Sequence, residues 1–326
     1  MQFDESKVPS IIKDALLGDV NRDEGDRTFE YSATVLCKSP RQVQLERRHK
    51  SEIATPALEN IWYSFAGTAM HDYLEHRLMN NKRYLVEKRI IRFDKPSPDA
   101  PESDYRRVGA KFDAYDKETK TLSDHKTTTT FVHGKEMKPE WIKQLMINAY
   151  FLEMEGYPVE RMAINAIYMD WRGSKLKYAK SEEDYPTAPC CEFSMAAPSM
   201  EERETLYKSL LQEHIAAEST PDHELPFCSP EYCWESGGSY AVYKEGAARA
   251  LRLCPSLDAA QAYIKMKGIY GAKIEERKPI RRRCADYCAA APFCNQYQTW
   301  LTEYNPTTIS DGDDCQSENP EETSSI

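Results

Sequence analysis

The segment from Arg107 to Lys126, RVGAKFDAYDKETKTLSDHK, constrains the fold more than any other. Two alternating runs flank the polar Lys117–Lys120, which predicts a β-hairpin closed by a four-residue turn. A turn of that length sets Asp113 directly opposite Asp124, and strand alternation puts Lys126 on the Asp124 face. Two facing carboxylates repel each other unless a cation sits between them, and hard oxygen donors suit Mg²⁺ or Mn²⁺. Without an ion, the same residues would be two hydrated acids on an exposed hairpin.

The rest of the chain reads as a mixture of helices and strands around this hairpin. Helices are expected at 58–79, 140–155 and 199–217, a basic helix after Pro40, and strands at 84–93 and 162–171. On the first long helix Gly67, His71 and Glu75 share one face at i, i+4, i+8 spacing. Gly67 would let that helix approach a sheet closely, with His71 pointing at it. Gln144 and Asn148 share a face of the following helix. The expected organisation is an N-terminal extension, 1–30, with little regular structure, a core at 31–219, a Cys-rich C-terminal subdomain at 220–304 and a disordered acidic tail at 305–326.

Composition narrows the class. The 326 residues, 40% of them apolar, suffice for one large or two modest domains. A net charge of −10 argues against nucleic-acid binding only until the tail is set aside, since Asn305–Ile326 holds six acids and no Lys or Arg. No apolar run approaches the ~18 residues of a membrane span. The acidic start, MQFDESKVPS, lacks the apolar core of a secretory signal. The expectation is a cytoplasmic protein with no membrane association, in which ten Cys serve as thiols or metal ligands rather than disulfides.

The order of these features resembles the RecB-family branch of the PD-(D/E)XK nucleases. Gly67 to His71 matches GxxxH, Ala110-Lys111-Phe112-Asp113 the strand ending in Asp, Asp124-His125-Lys126-Thr127 the core signature, and Gln144 opens the Gln-x-x-x-Tyr helix. Two departures are visible: the motif glycine comes one place early, at Gly109, and Asn148 holds the tyrosine position. Tyr150 lies ~240° round the helix from Gln144 at ~100° per residue, a poor substitute. The likeness extends to RecB-like nucleases of bacteriophages and prophages through Gln44–His49, Asp170-Trp171, Tyr185-Pro186, CSPEYCW from Cys228, and Arg283–Gln298.

The resemblance implies a restriction-endonuclease-like α/β core, a small mixed sheet flanked by helices, with the Cys-rich subdomain attached. It implies a metal-dependent deoxyribonuclease, foremost an exonuclease in phage or bacterial recombination or DNA processing, in the host cytoplasm if phage-encoded. DNA would be the substrate, and a recombination or single-strand annealing or binding protein the partner class. A structure-selective endonuclease and a non-catalytic accessory protein built on a metal cluster are the alternatives. His71, Asp113, Asp124 and the main-chain carbonyl of His125 would hold Mg²⁺ or Mn²⁺. Lys126 would steady the attacking water and the transition state, and Gln144 would orient Lys126 or the DNA backbone.

RRRCADYCAAAPFCNQ carries Cys284, Cys288 and Cys294 in a C-x₃-C-x₅-C pattern. Thiolates so close together bind Zn²⁺ or an iron–sulfur cluster. Iron–sulfur members of the resembled family carry a similar trio, C-x₂-C-x₅-C, implying a 4Fe-4S cluster here, with structural Zn²⁺ the alternative. The fourth ligand would be Cys228 or Cys37. Arg41, Arg47 and Arg48 are candidates for DNA phosphate contacts, as is the Arg281–Arg283 run.

Overall fold

The computed structural model describes residues 5–20, 29–54, 58–181 and 184–304. They divide into two compact units, Met1–Gln44 with Ala54–Thr220, and Leu45–Ile53 with Pro221–Ile326. The proposed acidic tail, 305–326, lies outside the described residues. No helix among the described residues is long and apolar enough to cross a membrane.

The elements of the first unit are α1 (Ser10–Val20), β1 (Tyr31–Ser32), α2 (Ala33–Leu36), the start of α3 (Pro40–Arg48), α4 (Leu58–Leu78), β2 (Tyr84–Val86), β3 (Arg89–Asp94), β4 (Arg106–Lys111), β5 (Ala114–Asp116), β6 (Thr121–Thr128), α5 (Pro139–Met154), β7 (Arg161–Tyr168), β8 (Cys190–Ala196) and α6 (Met200–Glu218). A mixed five-stranded sheet has the order β2-β5-β6-β7-β8, in which only β6 and β7 run parallel. A three-stranded sheet has the order β1-β4-β3. Parallel neighbours need a crossover, and α5 supplies it between β6 and β7. Pro139 fits the first turn of α5, where its missing N–H costs nothing, and Gly156 ends it at φ 86°, a conformation that suits glycine. The run from Ile147 to Leu152 is buried without a break, as expected of a helix covered on most sides. α6 starts with a capping box: Ser199 Oγ accepts from Glu202 N, and the Glu202 carboxylate accepts from Ser199 N.

The turn at Lys117–Lys120 and the hairpin register are as the sequence predicts, with Ala114 opposite Ser123 and Asp116 opposite Thr121. The first strand, however, is not continuous. It splits into β4 and β5 around Phe112 and Asp113, so Asp113 leaves the ladder one step before it would pair with Asp124. The strand expected at 84–93 splits likewise, into β2 and β3, at Glu87, whose φ is 51°. The two breaks face each other, because the Glu87 N–H donates to the Asp113 carbonyl at 3.0 Å. On one side the β3–β4 ladder ends at Arg89 and Lys111, and on the other the β2–β5 ladder ends at Val86 and Ala114. The chain pair thus passes from one sheet into the other through matched kinks, and the fully buried Phe112 anchors the bend. Burying a ring of that size contributes about 1.5–3 kcal/mol. The N-terminal extension also differs from expectation, since α1 is a helix whose Leu16 packs on Leu58 and Ile61 of α4.

The second unit takes the end of α3 and then β9 (Glu235–Ser236), β10 (Ser239–Tyr243), β11 (Arg252–Cys254), α7 (Leu257–Lys267), β12 (Lys273–Arg277), β13 (Ile280–Arg281) and α8 (Asn295–Tyr304). Its antiparallel sheet β11-β10-β12 packs against α7, Val242 and Cys254 of the sheet meeting Ala260 of the helix. Leu45–Ile53 belongs with this unit. His49 stacks on Phe293 with ring centroids 4.2 Å apart, and its ring nitrogens meet Glu52 and Asp222.

Candidate metal centre

Gly67 explains how α4 reaches the sheet. A Cβ there would lie 3.2 Å from Thr127 Oγ1 on β6, so only glycine allows the approach without displacement. One turn later on the same helix, His71 Nδ1 comes within 3.3 Å of Asp113 Oδ2. The same oxygen accepts the His125 backbone N–H at 2.6 Å. Across the site, Asp124 Oδ2 pairs with Lys126 Nζ at 2.6 Å. Gln144 joins the two, accepting from Lys126 Nζ at 3.2 Å and donating to Asp124 Oδ1 at 3.1 Å. The structure therefore gathers His71, Asp113, Asp124, Lys126 and Gln144 from α4, the β4–β5 bend, β6 and α5.

The electrostatics of the two acids diverge. Burial opposes ionisation of Asp113, but the His71 ring and the His125 N–H outweigh it and hold the carboxyl below its ordinary value. Asp124 is 2% exposed, and burial, aided by the Asp113 charge, pushes its carboxyl up to about 6 against the opposing pull of Lys126. Asp113 in turn raises the pKa of His71 through their hydrogen bond. Burial lowers that of His125, whose ring lies 3.2 Å from the Asn165 amide. A bound cation would favour the ionised form of Asp124, the acid that burial opposes.

A residue absent from the motif, rather than Asp124, shares a close donor group with His71 and Asp113. Donor atoms of His71, Glu87 and Asp113 all lie within 4.8 Å of one another. Glu87 sits at the β2–β3 break, and burial raises its carboxyl despite an ion pair with Lys111. The Glu87-Lys88 pair does interrupt strand alternation, a signal that was available, but nothing in the sequence forecasts a left-handed backbone there. The two carboxylates suit a hard divalent ion of the Mg²⁺ or Mn²⁺ kind, and the imidazole nitrogen favours a transition ion such as Mn²⁺ over Mg²⁺.

Asn148, at the anomalous motif position, is fully buried and donates to the Lys111 carbonyl at 3.2 Å, holding the strand two residues ahead of Asp113. Tyr150 points elsewhere, donating to Glu204 at 3.1 Å.

The cysteines resolve differently. Cys37 packs against the core of the first unit, and burial pushes its thiol up to about 12. In the second unit, Cys233 is in hydrogen-bonding contact with Cys228 and Cys284. The Cys228 contact draws the Cys233 thiol down, but Cys284 and burial push it up, to about 11. Burial raises Cys288 to about 11 as well, with Glu46, Cys294 and Cys228 adding to the effect. Cys233 reads as an ordinary thiol in the sequence, although its C-x₄-C spacing from Cys228 was visible.

The candidate phosphate-binding arginines fare unevenly. Arg41 is 1% exposed, so its side chain does not offer a surface contact as expected. Arg48 is engaged with Asp222 at 2.5 Å, and Arg47 is exposed. Arg281 pairs with Glu235 and lies over Trp300, while Arg283 lies over Tyr232 and Trp234.

No protein-family model matches this sequence, and no curated protein matches it. Among solved structures, SSO0001 is 17% identical, with a TM-score of 0.41 over 65% of this chain and 87% of its own. An alkaline exonuclease, LHK-Exo, from Laribacter hongkongensis is 13% identical, with a TM-score of 0.31 over 57% of this chain and 89% of its own. A phage-related exonuclease from Haemophilus somnus 129PT is 9% identical, with a TM-score of 0.25 over 63% of this chain and 79% of its own. Overlaps this low do not define a common fold, and the chemistry of the centre rests on its own residues.

Proposed function

We propose that this chain is a metal-dependent DNA nuclease, foremost an exonuclease, working at the centre formed by His71, Asp113, Asp124, Lys126 and Gln144. The observation that carries the reading is the bridge in which Gln144 ties Lys126 to the buried Asp124 while Asp113 holds His71 and the His125 N–H. A pair of acids with one lysine held by a second residue suits hydrolysis of a phosphodiester, whose transition state gathers negative charge. His71, Asp113, Asp124 and the His125 carbonyl would hold the ion. When bound, a divalent ion supplies neutralising charge and acidifies water. Lys126 then stabilises charge developing on the phosphate, and Gln144 fixes the direction of its ammonium group. Arg47 is an exposed member of the basic stretch that would meet the DNA backbone.

The thiols of the second unit are the second part of the proposal. Cys228, Cys284, Cys288 and Cys294 would hold a 4Fe-4S cluster, with structural Zn²⁺ the alternative. What supports it is that Cys233 contacts both Cys228 and Cys284, and that Cys288 feels the charges of Cys228 and Cys294. Cys37, in the core of the first unit, is the weaker candidate for the fourth ligand.

The test is incubation with Mg²⁺ or Mn²⁺ and end-labelled linear DNA beside a closed circle. Release of mononucleotides or short ends from the linear form alone supports an exonuclease. Nicking of the circle moves the reading to an endonuclease, and cleavage of neither under either ion sinks both.

A further inference from the structure

Glu87 is in an unusual position for a surface acid. Its side chain is only 10% exposed, while that of its partner Lys111 is 48% exposed. The lysine therefore approaches from the solvent side and covers a carboxylate that otherwise faces inward, toward His71 and Asp113. The backbone at Glu87 is left-handed, with φ 51°, and it is tied to Asp113 by the Glu87 N–H. Asp113 and Glu87 are thus fixed to each other by main chain as well as by proximity.

Charge makes the arrangement incomplete. Glu87 feels the charges of Asp113 and Glu75, and Asp124 feels that of Asp113. With Lys111 displaced, the Glu87 and Asp113 carboxylates would lie within 4.8 Å of each other and of the His71 ring, a group that a divalent cation would neutralise. An ion reaching Glu87 competes with Lys111 for the same oxygens, and the half-exposed lysine is free to swing outward.

We infer that Glu87 is a further ligand of the divalent ion and that Lys111 is the counter-ion it releases when the ion binds, leaving the lysine to meet a substrate phosphate. This rests on the metal site proposed above. Lys111 then does two jobs in turn: it screens Glu87 in the ion-free protein and holds DNA in the loaded one. Loading with metal and gripping of substrate become coupled through a single side chain.

The test is calorimetric titration of DNA-free protein with Mn²⁺. Glu87→Gln should weaken binding by about tenfold or more. Glu87→Gly, which suits the left-handed backbone, should do the same and guards against misfolding of the first variant. Lys111→Met should tighten binding by about fivefold, because the competitor is gone. On a Lys126→Ala background, Lys111→Met should also lower the salt dependence of duplex affinity by about one phosphate contact, and only with Mn²⁺ present. Unchanged Mn²⁺ affinity in both Glu87 variants, or weaker binding in Lys111→Met, would overturn the inference and leave the pair structural. Mn²⁺-dependent DNA cleavage with binding indifferent to both residues defeats this inference alone. Binding that depends on both residues, without any cleavage, defeats the nuclease reading alone. A wild-type protein that binds no Mn²⁺ defeats both.

Discussion

The Gln144 side chain spans Asp124 and Lys126, donating to the acid at 3.1 Å and accepting from the lysine at 3.2 Å. An acid and a lysine already 2.6 Å apart would otherwise be free to rotate about their own pair. The amide from α5 fixes the plane of the contact.

Catalysis should follow that geometry. Lys126→Ala is expected to lower the cleavage rate by about 10²–10³, the cost of losing one preorganised electrostatic group. Gln144→Ala should lower it less and mainly in kcat, since it acts through the lysine. Asp113→Asn should abolish metal-dependent cleavage. Steady-state rates on linear DNA at saturating Mg²⁺ provide the check, and near-normal turnover by Asp113→Asn would remove the assignment.

Stability should depend on pH through Asp124. Its folded pKa, about 6, lies above the ordinary value of 3.8, so its contribution is fully present below the unfolded pKa and is lost as pH rises through about 6. Asp124→Asn does not titrate. Relative to the metal-free wild type, the variant should therefore gain stability between pH 4.5 and pH 7.5, by about 2 kcal/mol. Paired denaturant melts at the two pH values measure this, and a gap that stays constant would contradict it.

Helix α4 should be sensitive to bulk at Gly67. Alanine places a methyl against Thr127 and gains helix propensity, so Gly67→Ala should change stability by less than about 1 kcal/mol. Gly67→Leu cannot be accommodated by so small a shift and should push His71 away from Asp113. Mn²⁺ affinity should then drop while circular dichroism still reports a folded chain.

Asn148 should be structural and not replaceable by the residue of the resembled motif. Asn148→Ala removes the hydrogen bond to the Lys111 carbonyl from a fully buried position and should cost about 1–3 kcal/mol. Asn148→Tyr overpacks a fully buried position and should cost at least as much. A tyrosine variant as stable as wild type, by urea titration, would show that the helix has room there.

Protein purified without oxygen should be brown and contain iron and acid-labile sulfide if the thiols hold a cluster. Cys228, Cys284, Cys288 or Cys294 to Ser should each bleach it, while Asp113→Asn should not. Because Cys233 touches Cys228 and Cys284, Cys233→Ser belongs in the same series. Loss of colour there, with retention in Cys228→Ser, would exchange the two ligands. Stoichiometric zinc in colourless protein would replace the cluster with a single ion.

The parts of this site that were legible are those fixed by local pattern. Hairpin register follows from turn length, so the neighbourhood of Asp124 and Lys126 could be read directly. Helical periodicity placed His71 and Gln144 on faces that do meet the sheet. What could not be read is where strands bend. Glu87 and Asp113 leave their ladders because two sheets meet there, a tertiary fact that overrides strand alternation. Burial of Arg41 is similarly invisible, since a basic helix looks solvated until its neighbours are known.

Because α5 crosses between the parallel strands β6 and β7, Asp124, Lys126 and Gln144 belong to one strand–helix segment, whereas His71 and Glu87 come from upstream elements. The lysine side of the centre is a short-range contact, closed by a loop of modest entropy, and the histidine side is a long-range one. The Asp124–Gln144–Lys126 bridge can therefore form before the group of His71, Glu87 and Asp113 is complete. In an ion-free cell extract, hydrogen exchange would find the β6–α5 amides slow while those around Glu87 still open.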